Sequence, residues 1–253
     1  MKILHLSDLH LEFGSMDVPK TDADIVVLSG DIHAGSRGID WASQFDMPVI
    51  YILGNHEFYG FTQFDDLIQE CRDKASQYPN VHFLENESVA IGDVRFHGAT
   101  FWTDFELENN ASLSMHYART AINDYRKITY KDQYFTPEIA AALHAESRHW
   151  LYNSVKESAE EKNVIVTHYL PTAEAIRPKF KGSPLNPAFA SDCYEFSELA
   201  EKISIWLYGH NHNCNDFMSN GIRYSTNQRG YCGIELVEGF DPQKVIDINN
   251  NHF

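Results

Sequence analysis

Five times along the chain a short apolar run breaks off into a metal-type ligand, and this recurrence constrains the fold more than any other feature. Ile3–Leu6 leads into Asp8-Leu9-His10, Ile25–Leu28 into Gly30-Asp31, and Val49–Leu53 into Gly54-Asn55-His56-Glu57. Val164–Val166 leads into Thr167-His168, and Ile205–Tyr208 into Gly209-His210-Asn211-His212. The runs are bounded by Ser, Asp, Gly or Asn, the pattern of buried strands. In open α/β sheets such strand ends converge on one crevice. Asp8 and His10 stand two apart, so an extended chain would turn both toward one ion. The glycines beside the ligands are read as permitting tight turns.

Other segments predict a mixed sheet system with helices between strands. Val89–Ile91 and Val94–His97 flank Gly92-Asp93, a two-residue hairpin signal. The pattern repeats from Phe217 to Ser225 around Asn220-Gly221, and Gly233–Val237 reads as a further strand. Thr62 with Asp65 resembles a capping box before Phe64, Leu67, Ile68, Cys71 and Ala75, which follow helical spacing. Thr136 and Pro137 read as N-cap and first helical position of a helix whose apolar stripe is Ile139, Leu143, Trp150, Leu151 and Val155. Another helix is expected within residues 111–124. Residues 101–110, 125–135 and 171–190 read as long functional loops, the last interrupted by four prolines and a glycine. Arg177, Lys179 and Lys181 make a basic spot there, a solvated face or a substrate contact. Asn249 to Asn251 reads as a solvated tail.

Composition narrows the class. With 253 residues, 43% of them hydrophobic, the chain can bury one large core, and residues 1–253 are expected to form a single domain. The formal charge of −16 counts against a broad nucleic-acid footprint. Cys71, Cys193, Cys214 and Cys232 include no CxxC pair, so no zinc ribbon is expected. The start, MKILHLSDLH, has no apolar signal-peptide region, and no apolar run is long enough to span a membrane. A cytoplasmic location with reduced thiols follows as the expectation.

The ordered series DxH, GD, GNH with Glu, a lone His and GHxH resembles that of the calcineurin-like metallophosphoesterases, from Asp8 to His212. That resemblance implies an α/β four-layer sandwich, two mixed β-sheets flanked by helices. It implies that Asp8, His10, Asp31 and His212 hold one metal and that Asp31, Asn55, His168 and His210 hold the other, with Asp31 bridging. Oxygen and imidazole ligands without thiolate suit two divalent ions such as Mn²⁺, Fe²⁺ or Zn²⁺. The activity implied is hydrolysis of a small phosphomonoester, phosphodiester or nucleotide. A metal-bridging hydroxide is the nucleophile and His56 the general acid, with Asn55 and Asp31 also in the catalytic set. The protein Ser/Thr phosphatase branch carries a second Asp and an Arg after GD. Ile32-His33-Ala34-Gly35 stands here instead, and Phe58-Tyr59-Gly60 follows GNHE where that branch has an Arg. Phosphoprotein phosphatase activity is therefore not implied.

Each motif alone has a plain structural explanation. Asp31 fits an N-cap and Asn55 a left-handed turn residue. Together the motifs require five coincidences in family order. His33 is a candidate for contact with the ligands, and the remaining histidines are read as structural or solvated. Cys214 is read as a packing residue. Trp102, Asp104 and Arg126 either line the pocket or serve core packing and surface pairing. A metal-dependent nuclease and a catalytically silent interaction module are the rival functions. The charge counts against the first and the complete ligand set against the second.

Overall fold

Successive side chains of a strand face opposite sides, and here both sides of the central strands are apolar. The computed structural model describes residues 1–60 and 63–249. Four parallel strands come first: β1 (Lys2–Leu6), β2 (Ile25–Ser29), β3 (Val49–Ile52) and β4 (Val81–Phe83). The hairpin β5 (Glu87–Ile91) and β6 (Val94–Ala99) follows, then a small ribbon, β7 (Thr129–Tyr130) and β8 (Gln133–Tyr134). Next are β9 (Lys162–Thr167), β10 (Ile203–Leu207) and the hairpin β11 (Asp216–Ser219) and β12 (Ile222–Ser225). A second ribbon, β13 (Gly230–Tyr231) and β14 (Glu235–Leu236), precedes β15 (Val245–Asp247).

One sheet has the order β15-β1-β2-β3-β4 and the other β11-β12-β10-β9-β6-β5. Edge strands β15, β5 and β11 pair antiparallel; the rest of each sheet is parallel. Alternation sorts the side chains into layers. Ile3, Ile25, Val27 and Ile50 of the first sheet meet Phe96, Val164, Val166 and Ile205 of the second in one buried cluster. Leu4, Leu6, Val26 and Leu28 face the other way, onto helices α1 (Arg37–Ala42) and α2 (Phe64–Ala75). On the far side Ile165 and Trp206 pack with Leu151 and Val155. Helices α3 (Ala111–Ala121), α4 (Asp124–Lys127) and α5 (Pro137–Lys156) complete the chain. The fold is the expected sandwich of two mixed sheets between helices. Full burial of each Leu or Ile of the inter-sheet layer contributes roughly 1.5–3 kcal/mol.

Some local expectations need correction. Gly233–Val237 is not a full strand: only Glu235–Leu236 pairs, because Gly233, with φ of 78°, belongs to the turn. Residues 125–135 are not structureless, since they hold the end of α4 and the β7–β8 ribbon. Thr136 does cap α5, accepting from the Ile139 amide. The buried face of α5 is Ala140, His144, Ser147, Leu151 and Val155, while Ile139, Leu143 and Trp150 are only partly buried. Leu151 and Val155 of the expected stripe are thus buried, and the other three pack at the edges of the core. Thr62 lies outside the described residues, as do Asn250, Asn251 and His252; α2 has Gln63 at its N-cap, with no side-chain cap.

Candidate metal centre

The strand ends deliver the candidate ligands through strained backbone. Asp8, His10, Asp31, His210 and His212 all have φ between 46° and 80°, a region that non-glycine residues occupy at a cost. The Asp8–His10 segment is therefore not extended as expected; a left-handed turn aims both side chains inward. Asn55 has φ of −77°, so it is not a left-handed turn residue. Gly54 is present for close approach, since a Cβ there would collide with Asp31 Oδ1 and lie 2.7 Å from His168 Cε1.

Two groups of ligand-type atoms lie side by side. Asp8, His10 and His212 form one, Asp31, His168 and His210 the other, and Asp31 also groups with His10 and His56. Asp31 stands between them: Oδ2 is 3.6 Å from His10 Nε2 and Oδ1 is 3.5 Å from His168 Nε2. Asp8 Oδ1 is 3.6 Å from His212 Nε2, and Asn55 Oδ1 is 3.2 Å from His168 Nε2. All seven sequence-predicted ligands thus meet at one place. Burial is near complete for Asp8, His10 and His168.

Outer contacts fix how the ligands face. The His168 ring donates from Nδ1 to the Ser29 carbonyl at 2.9 Å, which turns Nε2 toward the centre. His10 Nδ1 lies 3.4 Å from Glu12 Oε1, and His212 Nδ1 lies 3.5 Å from Glu235 Oε2. Such carboxylates fix the orientation of the ring. Asp8 accepts from Ser7 Oγ at 2.5 Å and from the His210 amide at 3.0 Å. Glu57 accepts the amides of Asp31, Ile32 and Gly54 and so ties two ligand loops together. Arg229 does the same for the first loop by donating to the carbonyls of Leu9, Gly14 and Ser15.

The donor set fits a divalent cation. His10 Nε2 and His212 Nε2 face each other at 3.1 Å, and His168 Nε2 and His210 Nδ1 at 3.2 Å. Two bare imidazole nitrogens at that distance need a proton or a cation. Burial opposes a charge on His168, but the Asp31 carboxylate prevails and pushes its pKa up to about 10. Burial and then the charged His168 ring push His210 down. One proton is thus held where metal charge would answer both rings and the carboxylates.

His56 borders both groups. Its amide donates to Asp31 Oδ1 at 2.8 Å, its Nδ1 lies 3.4 Å from Glu12 Oε1, and its Nε2 lies 3.1 Å from the Tyr231 hydroxyl. Glu12, Glu235, Tyr231 and Asp124 were missed in the sequence. The signal for Glu12 was its position two residues after His10; the others come from segments with no motif. A cavity of about 420 Å³ opens over His56, His210 and His212, walled by residues 121–124 and by the 171–190 loop. A larger depression of about 940 Å³ lies at the opposite ends of β9 and β10, around Glu160–Lys162 and Glu201–Ser204. Among the described residues it holds none of the metal-type groups.

Of the basic spot, Arg177 lines the cavity and donates to the His212 carbonyl at 2.9 Å, whereas Lys179 and Lys181 do not line it. Trp102 is a core residue, Asp104 pairs with Arg148, and Arg126 bonds Asn123, so packing and surface pairing explain them. His33 bonds only the Ala34 carbonyl. His97 and His144 are buried structural residues.

Comparison with known proteins gives the family and the fold. A model of the family described as calcineurin-like phosphoesterase matches residues 1–214. An uncharacterized protein of Acanthamoeba polyphaga mimivirus is 30% identical over 283 aligned positions, covering 98% of each chain. Among solved structures, a phosphopantetheinyl hydrolase from Mycobacterium tuberculosis superposes with a TM-score of 0.67 at 15% identity, covering 91% of this chain and 89% of that one. A putative 5'-nucleotidase from Staphylococcus aureus gives 0.51 at 14% identity, covering 89% of this chain and 48% of that one. At these identities the structural likeness speaks for the fold.

Proposed function

The chain belongs to the calcineurin-like phosphoesterase family, and from that premise we propose that it hydrolyses small phosphate esters with two divalent metal ions. The observation that carries this reading is the pair of ligand groups sharing Asp31. Asp8, His10, Asp31 and His212 would hold one ion, and Asp31, Asn55, His168 and His210 the other. The mixed imidazole and oxygen set suits Mn²⁺, Fe²⁺ or Zn²⁺. Bound there, the ions supply positive charge for the phosphoryl oxygens and ready a water for attack.

The chain's own residues do the rest. His56 is the general acid for the leaving oxygen. Burial opposes its charged form, but Asp31 and Glu12 overcome this, so the ring holds its proton more strongly than usual. Glu12 on Nδ1 fixes the ring orientation, and the Tyr231 hydroxyl on Nε2 marks where the leaving oxygen would sit. The cavity volume is in the range of small-ligand sites. Together with the formal charge of −16, this favours a small ester over nucleic acid. The complete ligand set favours an enzyme over a silent module. No helix of the described residues is long and apolar enough to cross a membrane.

The test is elemental analysis followed by a panel of mono-, di- and pyrophosphate esters after Mn²⁺ loading. Two ions per chain and turnover of at least one ester class are expected. Full metal occupancy with no turnover would favour the silent module.

A further inference from the structure

Resting on that hydrolase reading, we propose that the organic arm of the ester is apolar, an alkyl or aryl group without hydroxyls or charges of its own. The cavity wall beyond the ligand groups carries Ile122, Leu170, Ile176, Phe180, Leu185 and Phe189. Several polar groups among them are engaged within the protein. Asn186 Nδ2 donates to the Phe180 carbonyl at 2.9 Å. The Asn211 amide bridges the Ala175 carbonyl and Gln228 Nε2, each at 2.8 Å. Asn123 Oδ1 accepts from Arg126, and Ser183 Oγ accepts from the Leu185 amide. Arg177 donates to the His212 carbonyl and lies 3.7 Å from Glu235. Asp124 accepts from Asn55, Tyr59 and Tyr169.

The apolar wall, with these groups turned to the protein, favours one arm chemistry. A sugar or nucleobase laid against these six apolar side chains would desolvate donors and acceptors there without hydrogen bonds in return. A second anionic group would meet Glu235 beside an arginine that is already paired. An apolar arm loses no hydrogen bond on entry and gains contact with Phe180 and Phe189. Hydrolysis then adds water across the P–O bond: the oxygen joins phosphorus, the P–O bond to the arm breaks, and the leaving oxygen takes a proton. The products are an apolar alcohol and a phosphate. The class of reaction that supplies the substrate is phosphorylation of such an alcohol.

The experiment measures kcat/KM for primary-alkyl phosphates from ethyl to hexyl, as monoesters and as methyl diesters, with Mn²⁺ occupancy verified. Glycerol phosphate and a nucleoside 5'-monophosphate serve as polar comparators, since their leaving oxygens are also primary. The expected result is a rise of roughly three- to fourfold per methylene until the cavity is filled, with hexyl above both comparators by more than about tenfold. Phe180→Ser should flatten the rise. Phe180 is 47% exposed, so the variant is expected to fold. A flat alkyl series, comparators that match hexyl, or a slope unmoved in both Phe180→Ser and Leu185→Ser overturns the proposal and leaves the hydrolase reading standing. No turnover of any ester at full occupancy removes the hydrolase reading, and this proposal with it.

Discussion

The Asn55 amide donates from its nitrogen to Asp124 Oδ1 at 2.8 Å and so turns its carbonyl oxygen to within 3.2 Å of His168 Nε2. The same carboxylate receives the hydroxyls of Tyr59 and Tyr169. A flipped amide would point its N–H groups at the metal side and its oxygen at a carboxylate. Asp124→Ala should therefore lower affinity for the ion on the Asn55 side by about 10–100-fold, while the ion on the Asp8 side is held nearer normally. Calorimetric metal titration reads both sites. Two unchanged affinities would show that the amide orients itself.

Asp31 lies between both ligand groups, and His212 belongs to one. Asp31→Asn should weaken both ions, and His212→Ala mainly one. Metal content after dialysis distinguishes the two variants. An Asp31→Asn chain that still carries two tightly bound ions would falsify the proposed bridging role.

Removal of the ions should abolish turnover, with Mn²⁺ restoring it. Loss of the ions should also lower the melting temperature, because a ligand that binds only the folded chain stabilises it. Scanning calorimetry with and without EDTA tests the second point separately. Equal melting temperatures would mean that the facing imidazoles are content without a cation.

His56 matters in proportion to how much the leaving oxygen needs a proton. His56→Ala should slow alkyl esters by about 10²–10⁴-fold and nitrophenyl esters much less, with metals retained. Comparing kcat on the two ester types, with metal content of the same preparation, is the measurement. Equal losses on both would assign His56 to phosphoryl positioning instead.

His97 is buried between Ser154 and Asn163, with ring nitrogens 2.8 and 2.9 Å from their side-chain oxygens. Burial lowers its pKa from about 6.5 to about 4. The folded chain thus binds fewer protons than the unfolded one between those values. Stability from the neutral ring is complete above about pH 6.5 and is lost as pH falls toward 4, a total of the order of 3 kcal/mol. Urea unfolding at pH 7.5 and 4.5 should show a smaller acid loss for His97→Gln than for the parent chain. Identical losses would place the acid sensitivity elsewhere.

The centre was legible where strand ends carry it. A buried apolar run followed by Asp, His or Asn is visible in one dimension, and the seven proposed ligands lie together. The conformation was less legible. Asp8 and His10 face one site through left-handed backbone rather than strand alternation, since the local pattern does not report the turn. Glu12, Asp124, Tyr231 and Glu235 stayed hidden because they reach the ligands only through packing between distant segments. The α5 stripe was legible in part: Leu151 and Val155 are buried, but the buried face also takes Ala140, His144 and Ser147, which a stripe of large apolar residues does not mark.

Positive φ at Asp8, His10, Asp31, His210 and His212 has an evolutionary corollary. Each such residue stores on the order of 1–3 kcal/mol that glycine would release. Selection for thermal robustness alone would drift toward glycine at these five places and erase the ligands one by one. On the proposed ligand roles these five residues trade stability against function, and a directed-evolution campaign that screens only for heat resistance should be expected to lose the centre first.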